Sequence, residues 1–205
     1  MTDASKEHWL HDTPPDAGVR DQLIAAAGEH FCRFGYEKTT LAELAKEIGF
    51  SKTYIYRFFS SKQEIGEAIC SQCLGRIVAA VDDGIASAPS ATEKLRRMLR
   101  IIPAMGAQLF FEERKLYDIA SASTNENWNS AKNYLAQLAT KLHEIIQEGR
   151  DKGEFERKTP IDEIIRAIMM AMDPFIDPRF LQHRLDSVPD GSNEVVAMVL
   201  RSLAP

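Results

Sequence analysis

Cations and hydroxyl groups are concentrated in the run from Lys52 to Arg57, which reads KTYIYR. A solvated helix face normally favours Glu, Lys and Gln, whereas this run places Thr53 and two tyrosines beside two cations. Hydroxyl groups and cations are the side chains that contact phosphate oxygens and base edges. The run therefore predicts a surface that meets nucleic acid, with Lys52, Thr53, Tyr54 and Arg57 near base edges.

Three further residues are candidates for phosphate contacts: Thr40, Tyr56 and Lys62. Lys62 follows two serines at the predicted start of a helix, where a cation opposes the helix dipole and is not explained by local stability. A phosphate bound there would explain the lysine. For Thr40 a second interpretation stays open, because a threonine at a helix start can act as a cap alone.

Two short helices joined by a turn must position these side chains. Thr40 is followed by Glu43 just before an apolar run, which is the pattern of a capping box. Gly49 can end this first helix in a left-handed conformation, and Ser51 can cap a second helix at once. Two short helices with a glycine-containing turn form a helix-turn-helix, whose second helix can enter the major groove of DNA.

The charge of the chain differs between segments. From Lys38 to Lys62, five lysine or arginine side chains stand against two glutamates, a net charge of +3. The whole chain carries -5, so the remainder carries -8. Phosphate attraction depends on the local charge, and the acidic remainder is expected to limit non-specific binding to DNA.

The rest of the chain is patterned as helices. Of its 205 residues 44% are apolar, enough for a sizeable core, and strand-like alternation is weak throughout. We expect an all-α protein that begins with a mobile tail over 1–18 and a helix over 19–34. A long helix that starts at Ser61 is expected to leave a three-helix head and enter a second domain.

Residues 23–65 resemble the DNA-binding segment of the tetracycline-repressor family. Thr53 departs from the family pattern, since many relatives carry glycine there, and a side chain at this position can alter base contacts. The residues that match the family pattern do so in order and without a gap: Phe31, Gly35-Tyr36, Thr39-Thr40, Ile48-Gly49, Ser51-Lys52, Ile55-Tyr56, Phe59 and Ser61-Lys62.

The resemblance implies a transcriptional regulator, in particular a repressor, that binds double-stranded DNA as a homodimer. It implies a helix-turn-helix DNA-binding domain over 19–65 and a C-terminal helical domain over 66–205 for effector binding and dimerisation. Two C-terminal helices, at about 160–175 and 192–203, would pack into a four-helix dimer interface. The alternative is that they complete the core of a monomer. An unknown small-molecule effector would shift the spacing of the two heads and release DNA.

A pocket for that effector is expected where Pro103 breaks a helix rich in methionine and aromatic residues. These residue types suit a mostly apolar ligand, although an ordinary core would use the same residues. The candidates for effector binding are Met98, Ile102, Met105, Phe110, Tyr117, Trp128, Tyr134 and Met169.

Other function classes find less support in the sequence. No glycine-rich phosphate loop, GxSxG or HExxH motif occurs, so we expect no catalytic residue, no metal and no cofactor. Cys70 and Cys73 form an isolated CxxC pair that could be redox-active or bind metal, but partly buried structural thiols are the simpler interpretation. A purely structural helical module would explain the C-terminal helices but not the run over 52–57.

The sequence also bears on the compartment. No apolar run is long enough to span a membrane, and the N-terminus lacks the apolar region of a secretory signal. The odd number of cysteines agrees with a reducing compartment. We therefore expect a cytoplasmic protein without membrane association.

Overall fold

The computed structural model describes residues 15–205, with side chains from residue 18 onwards. Within this range the chain is helical and contains no strand, which confirms the all-α prediction. Ten α-helices follow one another: α1 Pro15–Phe34, α2 Leu41–Glu47, α3 Lys52–Ile55, α4 Lys62–Ala86, α5 Ala91–Glu112, α6 Arg114–Asn125, α7 Asn129–Asp151, α8 Ile161–Ile176, α9 Pro178–Leu181 and α10 Asp190–Ser202.

The first three helices form a head, and they share one core, the head core, with the N-terminal half of α4 and with α6. Phe31 of α1 and Leu44 of α2 are buried there with Ile55 of α3 and the following Phe59. Helix α1 begins at Pro15, four residues before the predicted start, so residues 15–18 of the predicted tail are helical. The remainder of the predicted tail, residues 1–14, lies outside the described residues.

Helix α4 connects the head to the rest of the protein. The Ser61 hydroxyl accepts a hydrogen bond from the Glu64 backbone N–H at 3.1 Å, as expected for a cap at this helix start. Its first turns bury Ile65 in the head core, whereas Val81, four turns later, is buried in a second core. A single uninterrupted helix therefore takes part in both cores.

Helix α5 does not break at Pro103. The helix continues to Glu112, although the proline removes a backbone donor and normally destabilises a helix interior by about 3 kcal/mol. Leu99 and Ile102 are almost fully buried beside the proline, and the packing of this face offsets the lost hydrogen bond. The break lies instead at Glu113, where the backbone turns at φ -133 and ψ 53 before α6 begins.

The last two long helices each have a buried face and an exposed face. Ile168 of α8 and Val196 of α10 belong to the second core, while Met170 and Met198 are exposed on the outside of the same helices. Helix α8 runs through Pro174 and ends at Ile176, close to the end at about 175 that the sequence predicted. Within residues 15–205 each helix is too short or too polar to cross a lipid bilayer.

Candidate functional site

The helix-turn-helix begins at a complete capping box. The Thr40 hydroxyl accepts from the Glu43 backbone N–H at 3.2 Å, and a Glu43 carboxylate oxygen accepts from the Thr40 backbone N–H at 2.8 Å. The Thr40 hydroxyl also donates to that carboxylate at 2.8 Å. These hydrogen bonds from the Thr40 backbone and hydroxyl lower the pKa of Glu43. The threonine therefore has the capping role that the sequence left open, and its side chain is still exposed.

The turn between α2 and α3 requires a glycine. Gly49 adopts φ +75, a left-handed conformation that a residue with a side chain rarely takes. Two residues later the Ser51 hydroxyl accepts from the Tyr54 backbone N–H at 3.1 Å and caps α3. Buried Ile55 then fixes the short helix on the head core, so its opposite face must point outwards.

The outward face of α3 and the turn that follows it carry two cations and a threonine. Lys52, Thr53 and Arg57 are exposed, and none of their side chains makes a hydrogen bond within residues 15–205. The Lys52 ammonium lies 5.7 Å from the Tyr56 ring centre, and the Arg57 guanidinium lies 5.7 Å from the Tyr54 ring centre. These are weak contacts for an exposed pair, so both cations remain available to a partner.

Two residues of the predicted surface also serve the packing of the head. The half-buried Tyr54 ring stacks on Phe50, with 5.1 Å between ring centres, and meets Phe58 edge-on at 5.4 Å. The Lys62 ammonium donates to the Tyr36 carbonyl at 3.0 Å and lies 4.2 Å from the centre of the Tyr36 ring. Lys62 therefore has an intramolecular role besides the predicted phosphate contact, and its partner is 26 residues away in the sequence.

A cavity of about 70 Å³ lies between α4, α6, α7 and the end of α8. Tyr134 is the one residue among the predicted effector-binding candidates that lines it. Its walls are mainly apolar, with hydroxyl groups and two carboxylates among them: Leu74, Ala120, Ser123, Thr124, Ala131, Tyr134, Leu135, Asp173, Ile176, Asp177 and Pro178.

The other predicted pocket residues lie elsewhere in the fold. Met98 and Ile102 are buried in the second core, against which Met105 and Met169 pack as partly buried neighbours. Tyr117 donates to the Pro178 carbonyl at 2.6 Å and meets Phe110 edge-on. Trp128 is buried in the head core, where it packs against Tyr36.

The two carboxylates of the cavity, Asp173 and Asp177, were not among the predicted effector-binding residues, which are all apolar or aromatic. A signal was present, since Asp173 interrupts the apolar run IMMAMDPFI of α8. Asp177 is buried, caps α9 through the Arg179 backbone N–H at 2.8 Å, and pairs with the Arg179 guanidinium at 3.0 Å. Asp173 has no such partner within residues 15–205.

The two cysteines of the CxxC pair are packed inside the protein. The Cys70 thiol donates to the Ser123 hydroxyl at 3.4 Å, and the Cys73 sulfur accepts from Arg76 at 3.5 Å. Burial is the largest influence on both and raises the pKa of each thiol, which disfavours the reactive thiolate. Among the described residues no group of three His, Cys, Asp or Glu side chains is placed to hold a metal ion.

Comparison with known protein families gives two matches along the chain. Residues 23–69 match the model of bacterial regulatory proteins of the tetR family, and residues 91–195 match the tetracyclin repressor-like C-terminal domain. The chain is 26% identical to the uncharacterized HTH-type transcriptional regulator YfiR of Bacillus subtilis, over 76% of this chain and 77% of the relative. It is also 26% identical to the HTH-type transcriptional repressor KstR2 of Mycolicibacterium smegmatis, over 77% of this chain and 78% of the relative. Both relatives are transcriptional regulators.

Solved structures show the same fold. The transcriptional regulator FadR from Bacillus subtilis, in complex with stearoyl-CoA, superposes with a TM-score of 0.66 at 19% identity, over 89% of this chain and 98% of that one. PfmR from Thermus thermophilus, a TetR family transcriptional regulator, superposes with a TM-score of 0.60 at 24% identity, over 91% of this chain and 97% of that one. With the exposed cationic face of α3 in its helix-turn-helix and both family models matched, this chain belongs to the TetR family of DNA-binding transcriptional regulators.

Proposed function

We propose that the protein is a homodimeric repressor that binds an inverted repeat in double-stranded DNA and is released by a small, largely apolar effector. The observation that carries the DNA-binding part is the outward face of α3. Lys52 and Thr53 on this face, and Arg57 in the turn after it, are exposed without intramolecular hydrogen bonds in the described part of the chain, and buried Ile55 anchors the helix. Such a face can contact base edges in a major groove.

The remaining DNA-binding candidates take supporting positions. Tyr56 is 48% exposed beside Lys52, and its hydroxyl can donate to a phosphate. Lys62 donates once, to Tyr36, and an ammonium has three protons, so two remain for a phosphate oxygen. Thr40 is exposed at the start of α2, and Tyr54 is half-buried with its ring stacked on Phe50.

The proposed dimer rests on α8 and α10. Met170 is 77% exposed and Met198 is 51% exposed, on the sides of these helices that face away from the core. Exposed apolar side chains on adjacent helices suit a helix-packing interface between two copies. Two heads related by a two-fold axis would read half-sites about one helical turn of DNA apart, or a multiple of it.

The proposed effector site is the cavity between α4, α6, α7 and α8. Its mainly apolar walls suit a largely apolar molecule. A similar fold holds stearoyl-CoA in FadR, and another is described as the ketosteroid regulator KstR2 of Mycobacterium tuberculosis. To release DNA, the effector must bind the conformation that cannot engage DNA more tightly than the conformation that can.

Selection of DNA from a random duplex pool at physiological salt tests the proposed function. We expect an inverted repeat to be enriched and the complex to contain two protein chains. A sequence without two-fold symmetry, or enrichment of nothing by a preparation that mass spectrometry shows to be free of ligand, would contradict the proposal. The salt concentration must be held constant, because phosphate contacts make the affinity strongly salt-dependent.

A further inference from the structure

Two stacked aromatic rings lie next to the cationic face of α3. Phe50 stands in the turn before the helix, and its ring stacks on the half-buried ring of Tyr54 with 5.1 Å between ring centres and 18° between ring planes. Phe58 meets the Tyr54 ring edge-on at 5.4 Å. Phe50 is the more exposed member of the stacked pair, so it presents apolar surface to the solvent on a part of the head that is otherwise mainly polar.

The backbone holds this pair firmly in place. The Phe50 N–H donates to the Ala45 carbonyl at 3.0 Å, which ties the turn to the end of α2. The Ser51 hydroxyl then caps α3 through the Tyr54 N–H at 3.1 Å, and buried Ile55 anchors the helix on the head core. Because the pair is already ordered, contact with a partner costs little additional conformational entropy.

The exposure of Phe50 separates it from the phenylalanines that build the head core. Phe50 is 37% exposed, whereas Phe31 and Phe59 are at most 1% exposed. A single exposed apolar side chain is ordinary on a protein surface. Phe50 is distinctive because it adjoins Lys52 and Thr53, on the face that is proposed to enter the major groove.

The major groove offers one apolar group on the edges of the bases. This group is the C5-methyl of thymine, and phenylalanine is among the side chains that contact it. The other groups that the bases present there are hydrogen-bond donors and acceptors, which a phenyl ring cannot pair. An ordered phenylalanine at the groove therefore favours thymine over the other three bases.

We propose that Phe50 reads the C5-methyl group of a thymine in the major groove and that Tyr54 positions the Phe50 ring for this contact. The inference rests on the proposed function, because it requires α3 to enter the groove. It adds an apolar component to a surface that the sequence predicted from cations and hydroxyl groups alone. Phe50 is not among the DNA-binding residues predicted from the sequence.

The position of Arg57 bears on where this thymine stands in the half-site. The Arg57 guanidinium lies 5.7 Å from the centre of the Tyr54 ring, on which Phe50 stacks. Arginine pairs most often with guanine in the major groove. Successive bases are about 3.4 Å apart along the duplex, so we expect the thymine within about three base pairs of a guanine contacted by Arg57.

Replacement of thymine by uracil isolates the contact, since it removes the methyl group and leaves the base-pairing groups unchanged. Each thymine in one half-site of the selected operator is replaced in turn, and fluorescence anisotropy with the full-length protein measures the dissociation constant at constant salt. We expect uracil at one position to weaken binding about fourfold, the effect of exposing roughly one methyl group to water. An operator in which no such replacement weakens binding overturns the proposal.

Variants assign the methyl contact to a residue. Phe50→Ala is expected to bind the thymine and uracil operators equally well, whereas Phe111→Ala, which changes an exposed phenylalanine of α5, should keep the parental ratio. If Phe50 served packing alone, its replacement would weaken binding to both operators and leave their ratio unchanged, and this result overturns the proposal.

A second variant serves if circular dichroism shows that Phe50→Ala does not fold. Phe50→Val keeps an apolar side chain against Tyr54 but is shorter, so its ratio of uracil to thymine dissociation constants should fall to about twofold or less. A parental ratio in folded Phe50→Val overturns the assignment.

The outcomes distinguish this inference from the proposed function. An enriched inverted repeat without an effect of the thymine methyl groups supports the DNA-binding proposal and overturns the reading of thymine by Phe50. Enrichment of no sequence by ligand-free protein overturns both.

Discussion

The indole ring of Trp128 packs edge-on against the phenol ring of Tyr36, with 5.5 Å between the ring centres. Tyr36 belongs to the head, where it also meets Phe31 edge-on at 5.3 Å. Trp128 lies between α6 and α7, the helices that contribute Thr124 and Ala131 to the cavity. We therefore hypothesise that a ligand in this cavity would move Trp128 and, through Tyr36, the head.

Gly66 allows this aromatic contact, and its replacement should disturb it. A Cβ atom at Gly66 would lie 2.9 Å from Tyr36 Cε2 and 3.0 Å from Trp128 Cη2, and both rings are locked by burial. Gly66→Ala gains about 0.5–1 kcal/mol in helix propensity but costs about 1–3 kcal/mol in overpacking. We expect a net loss of unfolding free energy, measured by urea denaturation.

Gly75 supplies the matched control on the same helix. A Cβ atom at Gly75 would meet no heavy atom within 4 Å, so Gly75→Ala gains the higher helix propensity of alanine without a steric clash. We expect this variant to be as stable as the parent or more stable by up to about 1 kcal/mol. Equal stability of the two variants would show that the rings adjust without cost and that the contact is loosely held.

Arg57 should contribute to DNA affinity and little to stability. Its side chain is exposed, and its nearest described aromatic ring is 5.7 Å away. Once an operator is known, Arg57→Ala is expected to weaken binding by about 1–3 kcal/mol at constant salt, as judged by fluorescence anisotropy. Lys132→Ala removes an exposed cation from α7 and should bind like the parent. Parental affinity of Arg57→Ala would remove this residue from the base-reading surface.

Thr40 can be tested separately as a cap and as a phosphate contact. Thr40→Ala removes the hydrogen bond to the Glu43 N–H and should cost about 1 kcal/mol of unfolding free energy. Thr40→Asp keeps a capping oxygen but places a second carboxylate against Glu43, so its stability should lie between that of the parent and that of Thr40→Ala. Its negative charge should also repel a phosphate and weaken DNA binding. If Thr40→Asp binds an operator as the parent does, no phosphate lies near this residue and its role is capping alone.

The sequence revealed the head more fully than the cavity, and the reason is the range of the interactions. The caps at Thr40, Ser51 and Ser61 use partners three residues away, so the spacing itself contains the hydrogen bond. The cavity brings together Leu74, Tyr134 and Asp173, which are far apart in the chain and carry no joint pattern. The continuity of α5 through Pro103 was unpredictable for the same reason, since distant side chains pack against it.

Acid should destabilise the protein in part through Glu154, which caps α5 from a distant loop. Its carboxylate accepts from the Ala91 N–H at 3.2 Å and the Thr92 N–H at 2.9 Å. These hydrogen bonds lower the pKa of Glu154, with the Thr92 backbone as the largest influence. A lowered pKa means that the folded state binds the proton less readily than the unfolded state. The contribution is therefore present above about pH 4.3, the ordinary glutamate value, and is lost as the pH falls below it.

Glu154→Gln should flatten the fall of unfolding free energy between about pH 5 and pH 3, measured by urea denaturation at each pH. Its control is Glu144→Gln, at an exposed position on α7 with no hydrogen bond in the described part of the chain. If the unfolding free energy of Glu154→Gln falls with pH as steeply as that of the parent and of the control, the cap does not depend on the charge of Glu154.

The exposed methionines of α8 and α10 lead to a test of the proposed dimer. Met170 is 77% exposed, so Met170→Asp should cost the isolated chain little but would bury an unpaired charge in an interface formed by this face. We expect multi-angle light scattering to report a monomer and the affinity for an inverted repeat to fall toward that for one half-site. Phe111→Asp changes a comparably exposed residue of α5, 71% exposed, and should remain dimeric. A dimeric Met170→Asp variant would place the interface on another face.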